Sequence, residues 1–112
     1  MVEHSLLADS RLDLTFGSLS NATRRDMLQR VARTDLSVSE LSVAYDLTFA
    51  AVSKHLGVLE RAKLITKEKR GKLHLVRLSP EALLPAVDYL QHYKELWDDR
   101  LDALEAYLQT ID

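Results

Sequence analysis

Apolar residues recur at helical spacing through most of the chain, and the pattern breaks where capping residues, Gly or Pro stand. Leu12, Phe16 and Leu19 share one face of a first helix over about residues 7–19, weakened near its end by Gly17. Asn21 caps a second helix that runs to about Arg33, because its side-chain oxygen can accept from the free N–H groups of the first turn. Met27, Leu28, Val31 and Ala32 face inward there. Thr34-Asp35-Leu36 reads as a short loop. Ser37-Val38-Ser39-Glu40 is a capping box opening a brief third helix, Val38 to Tyr45, with Leu41 and Ala44 inward. Asp46 occupies the following turn, where a left-handed backbone is expected and Asp is better tolerated than most residues. Leu47 plugs the corner between helices. Thr48 caps a fourth helix to about Ala62, whose buried row is Val52, Leu56 and Leu59.

The period then changes from helical to alternating. Ile65 to Lys69 and Leu73 to Leu78 read as two strands joined at Arg70-Gly71-Lys72, with Gly71 supplying the permissive backbone of a tight hairpin. Val76 and Leu78 alternate with Arg77, so one face is buried and the other wet. Ser79-Pro80-Glu81 carries the marks of a helix start, with Ser as cap and Pro at the first helical position; Pro85 moves the true start toward Leu84. Beyond it Val87, Leu90, Tyr93, Trp97, Leu101, Leu104, Leu108 and Ile111 recur at spacings of three and four. That stripe covers about 25 residues, or roughly 37 Å of helix. A small three-helix core cannot cover so long an apolar face, and exposed apolar surface on that scale implies a partner, most simply a second copy across a two-fold axis. Leu12 and Phe16 of the first helix are expected to complete that interface with Tyr93, Trp97, Leu101, Leu104 and Leu108.

Charge sharpens the picture. The formal net charge is only −2. Residues 48–77 hold eight Lys/Arg against Glu60 and Glu68, for +6, whereas residues 81–112 hold two against eight, for −6; the rest contributes −2. A basic block inside an acidic chain is the footprint of an anionic partner. Length bounds the chain to one domain of 112 residues. The absence of cysteine excludes disulfides and thiolate metal sites. No apolar run approaches the roughly 18 residues that span a bilayer, and the first residues lack a signal-peptide pattern, so a cytoplasmic location is expected.

Together the two capped helices and the basic hairpin predict a mainly α winged helix-turn-helix, ordered α-α-α-α-β-β-α. It comprises a three-helix core, a β-hairpin wing and a long C-terminal dimerisation helix. The helix-turn-helix spans residues 37–62, the wing 65–78, and the dimerisation helices 7–19 and 80–111. In such a motif the N-terminal half of the second helix enters the major groove. Phe49, Ala50, Ala51, Ser53, Lys54 and His55 then lie on or near the outer face, with the small residues at 50 and 51 letting the backbone sit deep. Ser, Lys and His can hydrogen-bond base edges or phosphates, and Phe and Ala can press on thymine methyls. Phe49 as a partly buried core aromatic, and His55 as a structural histidine, fit the same pattern and stay open at this level. Lys67, Lys69, Arg70 and Lys72 crowd the hairpin tip and suit backbone or minor-groove contact. Arg24 and Arg25 are read as solvated, with phosphate contact the alternative.

Several stretches carry a family resemblance. They are Leu19-Ser-Asn-Ala-Thr-Arg-Arg-Asp-Met-Leu28, Leu36-Ser-Val-Ser-Glu-Leu41, Val52-Ser-Lys-His-Leu-Gly-Val-Leu-Glu60, Leu64 with Arg70-Gly71, and Leu78-Ser-Pro80. In combination they resemble the ArsR/SmtB family of winged-helix repressors over about Leu12 to Leu108. The resemblance implies a dimer built from the first and last helices, and groove contacts at Thr48, Ala51, Ser53, Lys54 and His55. The chain departs from the family at Asp46 and Lys63, where Gly is usual and where backbone strain is expected. It also lacks the cysteines and the Asp-x-His pair of the metal-sensing members, and so resembles the metal-independent branch. Asp88 and His92 stand one helical turn apart, with His4 a conceivable partner, but metal sites need three or four preorganised ligands and no metal or other cofactor is expected.

The expected function is a sequence-specific double-stranded DNA-binding transcriptional regulator, a homodimeric repressor. The alternative is a winged-helix protein-interaction module without its own DNA site. No Ser/His/Asp set, Gly-rich phosphate loop or metal cluster points to an enzyme. The partners expected are a DNA operator and a second copy, with no membrane; the pattern names no small-molecule effector.

Overall fold

The computed structural model describes residues 2–111, with side chains from Ser10 onward. The elements are α1 (Val2–Ser18), α2 (Ala22–Arg33), β1 (Leu36–Ser37), α3 (Val38–Tyr45), α4 (Phe49–Arg61), β2 (Ile65–Arg70) and β3 (Leu73–Leu78). A 3-10 turn at Pro80–Leu83 then leads into α5 (Leu84–Thr110). The order and type of the helices and of the hairpin follow the apolar periodicity. Helix α1 begins five residues before the expected Leu7. His4, weighed above beside Asp88 and His92, lies outside the residues whose side chains are described.

The core forms where the buried rows of α2, α3 and α4 meet one face of the hairpin. Met27, Leu41, Val52, Leu56, Leu59, Leu64 and Val76 are completely buried, and Val31, Val38 and Ile65 nearly so. Leu47 packs against this cluster from the corner between α3 and α4, as its position suggested. Among the described residues no buried side-chain polar atom lacks a hydrogen-bond partner. The core therefore gains apolar burial without the desolvation penalty of an orphaned donor or acceptor.

Four local readings change. Leu36-Ser37 is not loop but β1, an edge strand antiparallel to β3 with Leu36 opposite Val76 and Ser37 opposite Leu75; the sheet order is β1-β3-β2. Two residues are too few to show alternation, and only the tertiary fold brings β3 within reach of their backbone groups. Ala32 is exposed, because Met27 and Val31 already form the buried row of α2 and a single methyl drives little burial. Ala44 is exposed as well; the larger Tyr45 packs against the core in the last turn of α3 instead. Ser79 makes no side-chain cap. Its N–H donates to the Leu64 carbonyl at 2.8 Å, so the chain leaves the sheet through a 3-10 turn before α5 starts at Leu84.

Helix α5, at 27 residues, is about 40 Å long. Only Ala86 is buried on it. It touches α1 where the Phe16 ring meets Tyr89 edge-on, with centroids 6.1 Å apart, and Tyr89 lies 5.8 Å from Tyr93. The molecule is correspondingly elongated, 68 × 38 × 20 Å along its principal axes.

Candidate nucleic-acid interface

The helix-turn-helix is fixed by its caps. Ser37 Oγ accepts from the Glu40 N–H at 3.0 Å while Glu40 Oε1 accepts from the Ser37 N–H at 3.0 Å, closing the capping box. Asp46 ends α3 in the left-handed region, φ 52° and ψ 44°, with its N–H turned back to the carbonyls of Ser42 and Val43. The Ser42 hydroxyl donates to the Leu47 carbonyl, tying the turn together. Thr48 Oγ1 then accepts from the Ala51 N–H at 3.1 Å and starts α4. Each bond satisfies a backbone group that a helix end leaves open, so the angle between α3 and α4 is set by short-range chemistry.

With Val52, Leu56 and Leu59 inward, the opposite face of α4 is open. Thr48, Ala50 and Lys54 are exposed, Ala51 and Ser53 half-buried. Phe49 is 52% exposed, so it is not a core aromatic. His55 is half-buried and turned toward α2, its Nδ1 3.4 Å from Arg24 Nη1. Burial pushes the His55 pKa below its ordinary 6.5, and the positive charges of Arg24 and Lys54 push it the same way. Arg24 is itself committed: its Nε–H donates to the Ser18 carbonyl at 2.7 Å and Nη2 to the Gly17 carbonyl at 3.3 Å. Arg25 Nη1 donates to the Leu19 carbonyl at 2.7 Å. Arg24 is neither freely solvated nor poised over open surface: it satisfies the last carbonyls of α1, where a cation also suits the helix dipole, while Arg25 is exposed, as read, and meets only the carbonyl just past α1.

The wing sorts its charges by strand alternation. Lys67 and Lys69 lie on the same face as Val76, and Lys67 reaches Glu60 of α4 at 3.8 Å. Glu68, Arg70 and Arg77 lie on the other face. There Glu68 takes Arg70 at 3.2 Å and Arg77 at 3.1 Å, while Arg77 also holds Asp35 beside β1 at 2.9 Å. Arg77 thus braces all three strands, a role its alternation with Val76 and Leu78 did not reveal. Lys69, Arg70 and Lys72 are exposed at the tip, and neither Lys69 nor Lys72 has an ion-pair partner among the described residues. Gly71 turns the hairpin at φ 60°.

The expected interface residues split by helix. Leu12 is half-buried, Phe16 sits under Tyr89, and Tyr93, Trp97, Leu101, Leu104 and Leu108 line α5, each about half exposed. Tyr89 and Leu96, which the sequence stripe omitted, belong to the same apolar surface. Asp88 and His92 are exposed on α5, and among the described residues no three His, Asp or Glu side chains gather as a metal site would need.

Two capped helices at a fixed turn, followed by a basic hairpin braced on the same core, define a winged helix-turn-helix protein. A model described as a helix-turn-helix domain matches residues 19–68. The HTH-type transcriptional regulator Rv2034 of Mycobacterium tuberculosis is 32% identical over 100 residues, covering 89% of this chain and 88% of that one. Two solved structures superpose with TM-scores of 0.75. One is the ArsR family transcriptional regulator RHA00566, 29% identical and covering 80% of this chain and 93% of the other. The second is an ArsR-like transcriptional regulator from Rhodococcus sp. RHA1, 27% identical and covering 92% and 94%. The chain belongs to the ArsR family of winged helix-turn-helix transcriptional regulators, as its sequence motifs implied, and is a DNA-binding regulator. Among the described residues no helix is long and apolar enough to cross a membrane.

Proposed function

We propose that the protein acts as a homodimeric repressor that binds a two-fold-related operator in the cytoplasm and occludes it. The observation that carries this reading is the open outer face of α4. Its opposite row is fully buried, so the helix is clamped to the core while Thr48, Phe49, Ala51, Ser53 and Lys54 stay available to a groove. In this reading Ser53 and Lys54 read base edges, Phe49 and Ala51 press on thymine methyls, and His55 supports the helix from its Arg24 side. Lys69, Arg70 and Lys72 supply phosphate contacts from the wing, with Lys67 behind them held by Glu60. The whole chain acts as one unit: residues 37–62 read, 65–78 anchor, and α1 with α5 pair the copies.

The half-exposed apolar row on α5 supports pairing, because water-exposed aromatic and leucine side chains repeated over most of a 40 Å helix are stabilised by burial. Pairing across a two-fold axis presents two recognition helices to successive major grooves, about 34 Å apart. The test is selection of bound duplexes from a random pool at fixed salt, followed by titration. A recovered palindromic sequence, with affinity falling steeply as salt rises, supports the reading. Replacing Arg70 and Lys72 together by Ala should weaken binding to all duplexes alike, whereas changing Ser53 or Lys54 should alter sequence preference. A chain that enriches no sequence, and binds duplex DNA no better at low salt than at high, leaves the protein-interaction reading in its place.

A further inference from the structure

At the junction of α1, the end of α4 and the start of α5 lies a cleft of about 350 Å³, more enclosed than the shallow groove beside it. Three cations from three segments converge on it: Arg11 of α1, Arg61 at the end of α4, and Lys63 in the turn that follows. Glu81 is the single carboxylate, so the lining carries a formal +2. Among the described residues none of these four side chains forms an ion pair. Apolar lining comes from Leu14 of α1 and Pro85 of α5, both exposed, and from the buried Ala62. The size suits a small molecule, and apolar lining with a few converging polar groups is the composition of a ligand site.

A second observation points to the same place. Lys63 sits at φ 63°, in the left-handed region where a side chain costs backbone energy and Gly does not. Nothing in the turn needs a side chain there: the Lys63 N–H donates to the Glu60 carbonyl at 2.9 Å and the Leu64 N–H to the Leu59 carbonyl at 3.1 Å, both backbone bonds that Gly makes equally well. The strained residue is therefore one that lines the cleft.

We propose that this cleft is an effector site for a small organic carboxylate with an apolar ring or chain. The carboxylate is held by Arg11, Arg61 and Lys63, and the apolar body lies on Leu14 and Pro85. Arg61 is the last residue of the helix that carries the candidate DNA contacts, while Arg11 and Pro85 belong to the helices proposed to pair the copies. Drawing the three cations onto one anion changes how α4 sits against α1 and α5, and hence the spacing of two recognition helices. This coupling rests on the DNA-binding reading; the site itself does not.

The test uses the full chain and 2-naphthoate as probe, with uncharged 2-naphthamide as control, at constant ionic strength. Calorimetry without DNA should show one naphthoate per chain and no amide binding, with amide NMR shifts confined to residues near Thr15, Ala62 and Ala82. R61Q and K63G should each weaken naphthoate about fivefold or more, while E81Q should tighten it. K63G relieves the left-handed strain, so its loss of binding is not loss of fold, and thermal unfolding checks this. Equal binding of acid and amide, no binding at millimolar probe, or indifference to R61Q and K63G overturns the site. Where naphthoate binds, an unchanged affinity for a selected duplex overturns the effector role. If no duplex is bound at all, the DNA-binding reading fails and the calorimetry alone still decides whether the site exists.

Discussion

The imidazole of His55 on α4 lies against the guanidinium of Arg24 on α2, Nδ1 to Nη1 at 3.4 Å, while the same guanidinium closes the open carbonyls of Ser18 and Gly17. One side chain therefore joins the end of α1, the start of α2 and the middle of α4. Arg24→Ala should lower unfolding stability by about 1–2 kcal/mol, because the carbonyls lose charged donors. Arg24→Lys should recover only part of it, since an ammonium cannot fork to two carbonyls and the imidazole together. Urea unfolding of both variants measures the difference.

The placement of His55 makes stability depend on pH in a defined direction. Its pKa is held below 6.5 in the folded protein, first by burial and then by Arg24 and Lys54. The unfolded chain takes up the proton at the ordinary value and the folded chain resists it. At pH 8 both states are neutral and nothing is lost; as pH falls below about 6.5, stability drops until the folded pKa is passed. His55→Gln should flatten that part of the stability profile while leaving the alkaline side unchanged, as thermal unfolding between pH 8 and pH 5 will show.

Tyr45, Asp26 and Arg30 form a second joint, between α2 and α3. The Tyr45 hydroxyl donates to Asp26 Oδ2, Arg30 Nε binds the same oxygen at 3.0 Å, and the Arg30 guanidinium stacks over the Tyr45 ring at 5.0 Å. The phenol is pushed up to about 12, by burial first and then by the carboxylate it serves. The Asp26 carboxyl is held below its ordinary 3.8, by the Tyr45 hydrogen bond first and then by Arg30. A depressed acid pKa stabilises the fold above the unfolded value and ceases to as pH falls through the folded one. Tyr45→Phe should cost about 1 kcal/mol near neutrality. The gap from the parent protein should narrow below pH 3.8, measured by chemical denaturation across pH.

Two residues, Asp46 at φ 52° and Lys63 at φ 63°, hold the left-handed conformation with a side chain attached. Lys63→Gly should raise stability by up to about 1 kcal/mol, the relieved strain being partly offset by the added freedom of the unfolded chain. Asp46→Gly should gain less, because Asp adopts this conformation more readily than Lys. Parallel thermal melts of the two variants rank them.

Trp97 and Leu101 stand at the middle of the exposed α5 row, 58% and 53% accessible. Leu101→Lys should raise the dissociation constant of the proposed dimer on the order of 100-fold, since an unpaired charge at the centre of an apolar contact must be desolvated. The single chain should keep its fold, because Leu101 takes no part in the core. Light scattering against concentration, with circular dichroism as control, reads both outcomes.

The residues themselves specified the caps of α2, α3 and α4, because a cap is a contact within four positions, whereas Ser79, read in the same way, makes none. Asn21, Ser37 with Glu40, and Thr48 each bind the backbone group their spacing selects, and Asp46 takes the left-handed turn. The buried rows of α2 and α4 and the hairpin with Gly71 were legible for the same reason: their periodicity is local. Only folding could decide what depends on partners far along the chain. It made Leu36-Ser37 a strand by bringing β3 beside it, set Arg24 on the last carbonyls of α1, turned His55 toward α2, and gathered Arg11, Arg61 and Lys63 around one cleft. A long flexible cation can serve any neighbour within reach, so its position in the sequence does not name its partner, and the packing of the helices does.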